Sequence, residues 1–139
     1  MTMVVGCLFK NEGIMVADSR ASWGISLDKP EDMLQKILPV GFGKVIGYSG
    51  SVNIATRVIS DLRTLIQRKK SWRIFENVVR DLQGLSKYNF INKSTDKERE
   101  SGLSLILSGR TSKGKLEFWT FNSPLFKPEL IKYNFTVIG

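Results

Sequence analysis

The chain has 139 residues, 42% hydrophobic and 10% aromatic, which suits one packed domain and excludes global disorder. Lys and Arg number 21 against 13 Asp and Glu, a net charge of +8, and His is absent, which excludes Cys/His zinc sites and His-based triads. No apolar run approaches the roughly 18 residues of a membrane span, the start lacks a secretory-signal pattern, and the lone Cys7 cannot make an internal disulfide, so a cytoplasmic protein with no membrane partner is expected.

Along the chain, "MVVGCLF" is β-rich and apolar on both faces and predicts a central strand buried on both sides. "KNEG" is a turn, because Asn11 and Gly13 tolerate tight dihedrals, and "IMVAD" is the returning strand of a hairpin. The polar, Gly- and Pro-containing "SWGISLDKPEDML" is a loop; "KILPV" and "KVIGYSG" are short strands joined through Gly41 and Gly43. Ser51 caps a helix from Val52 whose apolar residues Ile54, Ala55, Val58, Leu62, Leu65 and Ile66 share one face. Arg68, Lys69 and Lys70 suit the negative end of its dipole.

Ser71 is the expected cap of a second helix bearing Phe75, Val78, Val79, Leu82 and Leu85, weakened at its end by Gly84. "KYNFINKSTDKERES" is expected to be an exposed polar loop. "GLSLILSGR" and "KLEFWTFN" are strands joined by "TSKG"; "SPLFKPEL" is irregular; "IKYNFTVIG" is one more strand. Strands, two helices, then strands indicate an α+β class, with antiparallel sheets covered by a helix layer.

Thr2 follows the initiator Met and is small enough for Met1 to be trimmed, leaving an α-amine and a hydroxyl on one residue. That amine, with an unperturbed pKa near ~8, serves as base to its own hydroxyl. Both groups hang from one α-carbon, so their geometry is fixed in advance. Asp18 ends the strand that pairs with the first, and Lys36 begins the strand after the loop. A Lys buried there needs a carboxylate partner, and the pair would favour the deprotonated forms beside it. The plainer reading stands alongside: Thr second is common, Asp at a strand end forms turns, and Lys before "ILPV" is a solvated edge residue.

"TMVVGCLFKNEGIMVADSRASWG", then "KILPV", then "GYSGSVNIATRVISDL" resembles the β-type subunits of the proteasome and the related bacterial ring peptidase. The likeness lies in a Thr start followed by apolar residues and Gly, a strand ending Ala-Asp-Ser-Arg-Ala, Lys-Ile with a nearby Pro, and Ser-Gly-Ser entering a helix. It covers the whole chain and is strongest over the first 65 residues or so. The resemblance implies an N-terminal-nucleophile hydrolase, an αββα sandwich of two antiparallel sheets between helix layers, in one domain over residues 1–139. Thr2 then falls on the family's nucleophile, Asp18 and Lys36 on its supporting ion pair, Arg20 on the Arg of the same strand-end motif, and Gly50 on the glycine whose N–H helps form the oxyanion hole. Also implied are a peptide or unfolded-protein substrate, a homo- or hetero-oligomeric ring, an ATPase partner, and no cofactor or metal.

The sequence departs from that pattern in two places. Met3 replaces a second Thr, and "YNFTVIG" resembles the strand leading into a Gly-Ser motif whose Ser, later Asp and last helices have no counterpart, so a chain lacking its C-terminal part and much of one helix layer is expected. A retained Met1 would leave Thr2 without its free amine. A noncatalytic subunit of the same fold, acting through oligomer contacts, is the first alternative; a basic nucleic-acid-binding module, for which "QRKKSWR" and the scattered Trp23, Trp72 and Trp119 give little support, is the second. Cys7 fits core packing, and Ser49 and Ser51 fit loop and capping roles.

Overall fold

A computed structural model describes residues 3–18, 35–132 and 135–139. Strands β1 (Val4–Phe9) and β2 (Glu12–Ala17) form the expected hairpin. Its register pairs Val4 with Ala17 and Cys7 with Ile14, and Lys10 turns through a φ of 51°. A second hairpin joins β3 (Ile37–Gly41) and β4 (Lys44–Gly50), with Phe42 and Gly43 both at positive φ. Gly41 therefore belongs to the strand, and Phe42 rather than Gly41 shares the turn with Gly43.

Ser51 caps helix α1 (Val52–Arg68) as its spacing predicts, its Oγ accepting from the Ile54 N–H at 3.3 Å. The predicted apolar face is the buried one, with Ile54, Ala55, Val58, Leu62 and Ile66 turned to the core. Ser71 does not cap the next helix. It lies in a 3-10 turn (Lys70–Arg73), and α2 (Phe75–Asn92) starts after Ile74, which offers no side-chain cap. Lys44 fastens this junction: its buried ammonium donates to the carbonyls of Phe42 and Arg73, while the Arg73 guanidinium lies 4.4 Å from the centre of the Phe42 ring.

Helix α2 runs straight through Gly84 and on to Asn92, into the segment from Lys87 that is expected to be an exposed polar loop. Ser86, Asn89 and Phe90 are buried on its last turns, and the Phe90 ring meets Phe126 edge-on at 5.5 Å. That packing outweighs the modest cost of one glycine. "DKERE" forms a short helix α3 (Asp96–Glu100), started by a capping box between Thr95 and Glu98. Strands β5 (Leu103–Arg110), β6 (Leu116–Asn122), β7 (Glu129–Leu130) and β8 (Phe135–Ile138) follow.

Among the described residues the molecule is α+β, with two antiparallel sheets ordered β2-β1-β8 and β3-β4-β5-β6-β7. Strand alternation gives the larger sheet two apolar faces. One carries Ile46, Tyr48, Leu105, Leu107 and Phe121 against α1 and α2. The other carries Ile37 and Ile106 against Val4, Met15, Ala17 and Ile138 of the smaller sheet. Glycines set how closely the two sheets meet. A Cβ at Gly6 would lie 2.9 Å from the Phe118 ring, and one at Gly13 would lie 2.7 Å from Phe118 Cζ, so Phe118 of β6 sits in a notch made by the hairpin's two glycines.

The central strand is not buried on both sides. Val4 and Gly6 are buried, but Val5 and Cys7 on the opposite face are only half-buried. They are flanked by exposed Ile14, Val16, Phe135 and Val137. No described helix covers this outer face of the smaller sheet.

Candidate active site

Three chain segments meet at one end of the two packed sheets. The Asp18 N–H donates to the Met3 carbonyl at 3.2 Å, which continues the β1–β2 ladder one step beyond Val4 and Ala17. The Lys36 carbonyl accepts from the Tyr48 N–H at 3.0 Å, which continues the β3–β4 ladder one step beyond Ile37 and Gly47. Val4, Ala17 and Ile37 share one apolar cluster. Residue 3, Asp18 and Lys36 are each next in sequence to a member of that cluster, so the start of β1, the end of β2 and the start of β3 converge there. Thr2 and Arg20, both singled out in the sequence, lie outside the described residues.

Lys36 is 3% exposed, whereas Asp18 is exposed. Both take part in further interactions.

Gly50 ends β4 at a φ of +103°, pressed against the backbone of Gly102, whose carbonyl accepts from the Ser51 N–H at 2.8 Å. Only glycine fits that left-handed, crowded position. The Tyr48 N–H points to β3, so alternation turns the Gly50 N–H the same way, past the start of β3. Gly47 went unremarked in the sequence and lies nearer β1. A Cβ there would stand 2.7 Å from Met15 Sδ and 3.0 Å from Val4 Cγ1. The sequence signal was present, since "GYSG" holds two glycines three apart, but nothing in it tells which one faces the second sheet.

The remaining nucleophile candidates take structural places. Cys7 is half-buried on the outer face of β1, and Ser51 is spent on its cap. Trp72 and Trp119 pack on the helix-side core, so they do not stack as a platform. No group of three or more His, Cys, Asp or Glu able to hold a metal occurs among the described residues.

Beside Lys36 lies a groove the sequence did not reveal. It has a volume of about 520 Å³ and runs between α1 and β3, with Gln35, Leu38 and Tyr48 on one side and Ile59, Ser60 and Arg63 on the other. Its α1 wall reads in sequence as an ordinary solvated helix face, and only the hairpin's approach makes it concave. Burial holds the Tyr48 phenol above its ordinary pKa, so it stays a hydrogen-bond donor at neutral pH.

No protein-family model matches this chain, and neither does any curated protein. Among the described residues no helix is long and apolar enough to cross a membrane.

Proposed function

We propose that this chain is a proteasome-like N-terminal-nucleophile hydrolase that cleaves peptide bonds through Thr2. The observation that carries the reading is the convergence of the start of β1, the end of β2 and the start of β3, with a nearly inaccessible Lys36 among them. A buried ammonium close to an N-terminal hydroxyl residue would favour the alkoxide character of that hydroxyl.

In this mechanism Met1 is removed first. The Thr2 amine then takes the proton of its own Oγ as the oxygen attacks the peptide carbonyl. The C–N bond breaks as the amine returns that proton to the leaving nitrogen, and an ester to Thr2 remains. Water, deprotonated by the same amine, releases the acid and regenerates the hydroxyl. Lys36, supported by Asp18, stabilises the negative charge on Oγ. The Gly50 N–H donates to the carbonyl oxygen as it becomes an oxyanion, a contribution on the order of 3 kcal/mol for one such donor. The αββα sandwich, the ring assembly and the ATPase partner belong to this proposal as its family setting.

The test joins intact-mass measurement with a peptide carrying an electrophile selective for an N-terminal Thr. The expected result is a chain lacking Met1 that gains one adduct at Thr2, with peptide hydrolysis abolished in Thr2→Ala and nearly so in Lys36→Ala. Hydrolysis unchanged in Thr2→Ala removes the proposed nucleophile. The exposure of Asp18 beside buried Lys36 favours a second reading, a noncatalytic subunit of this fold acting through oligomer contacts. Complete retention of Met1 with no adduct would support that one instead.

A further inference from the structure

We propose that the groove between α1 and β3 binds a small carboxylate carried on an apolar body, a role independent of any chemistry at Thr2. The floor is apolar: Leu38, Ile59 and the ring of Tyr48, which is 4% exposed. Hydroxyl and amide side chains rim it. Among the described residues its single charge is Arg63, and no acid lines it.

Arg63 is held in place. Its Nε and Nη2 donate to the Pro39 carbonyl at 3.1 and 2.9 Å, which fixes the guanidinium plane at the rim and leaves other N–H donors for a ligand. A fixed donor loses little freedom on binding an anion. The surrounding charge points the same way. Residues 57–73 contain six Arg or Lys against the one acid Asp61, and a positive field over a low-dielectric wall concentrates anions.

The groove's shape selects among anions. Its volume of about 520 Å³ falls in the usual range of small-molecule sites. With one guanidinium and an apolar floor it suits a monoanion with a hydrocarbon body. A phosphate chain would instead seek the exposed cations at 68–70.

The experiment is an NMR titration of the ¹⁵N-labelled protein with octanoate below its self-association concentration, with octanol and octylamine as controls. Saturable shifts are expected at Leu38, Tyr48, Ile59 and Arg63. Arg63→Gln should weaken octanoate about tenfold or more, the loss expected for one charge-assisted contact. Arg63→Lys should retain most of the affinity. Because Arg63→Gln also releases Pro39, Ser60→Trp provides a second check: it fills the groove from the exposed face of α1 and should abolish binding while leaving the β5 and β6 signals in place. The proposal is overturned if octanol matches octanoate, if Arg63→Gln binds as well as the parent, or if the shifts gather at Ile14, Val16 and Phe135. Displacement of octanoate from the groove by a short single-stranded DNA would also overturn it, by assigning the site to phosphate.

Discussion

Two glycines make opposite forecasts. At Gly109 on β5 a Cβ would run into the ring of Phe75 at the start of α2. Gly109→Ala should therefore destabilise the protein by about 1–3 kcal/mol, as overpacking does, read from the denaturant midpoint. Gly84 sits within α2 with nothing inside 4 Å of its would-be Cβ. Gly84→Ala should stabilise by about 0.5–1 kcal/mol through helix propensity alone. Glu98 adds a pH dependence. A hydrogen bond from Arg57, at 2.5 Å, and then the Thr95 backbone hold its carboxyl below the ordinary value of 4.5. A depressed carboxylate contributes stability above its unfolded-state pKa and loses it as pH falls through the folded one. Denaturation followed from pH 6 to pH 3 should thus show a shallower acid decline in Glu98→Gln than in the parent. At this scale the sequence was only partly readable: "SGR" marks Gly109 as a glycine in a strand, but Phe75, 34 positions earlier, is what forbids a side chain there.

Among elements, α1 was legible because its signals are local and agree. A capping Ser, an apolar stripe at helical spacing and basic residues at the end all lie within 20 positions or so. Ser51→Ala should lower stability by about 1 kcal/mol, the usual value of such a cap, again measured by chemical denaturation. The end of α2 was hidden because distant contacts decide it: Phe90 is held by Phe126, which a sequence window around Gly84 does not contain. Helix α3 is a different case. Thr95 and Glu98 spell the capping-box spacing openly, and a polar reading of the segment passed over it. The edge strand β3 shows how one element protects another. Pro39 has no N–H, and Arg63 of α1 covers its carbonyl, so that side of the larger sheet offers little to a pairing strand.

Over the whole molecule, the two cores differ in kind. The helix-side core is large and enclosed, whereas the small sheet has an inner face in the second core and an outer face of exposed Ile14, Val16, Phe135 and Val137. Such a patch is expected to bind an apolar fluorescent dye under native conditions. Ile14→Thr together with Val16→Thr, which keeps β-branched side chains in the strand, should reduce that fluorescence severalfold without shifting the denaturant midpoint by much. Dye response unchanged in the double variant would place the accessible apolar surface elsewhere. The sheet hairpins were readable from alternating patterns and turn residues. Which sheet each hairpin joins was not, because β1 pairs with β8 across more than 120 positions and β4 pairs with β5 across the whole helical insert. The candidate site inherits that limit: its three segments were named from the sequence, while Gly47, which sits between the sheets, and the groove beside Lys36 depend on pairings no local pattern encodes.

The Phe118 ring seated against Gly6 and Gly13 acts as a key between the two layers. Sliding one sheet along the other would drive the ring into the neighbouring, bulkier positions of the hairpin, so gradual shear is blocked. Separation must proceed by lifting the layers apart, which exposes the entire interior at once, and amide protons on β1 and β6 should then exchange with solvent together rather than in sequence from the rim inward.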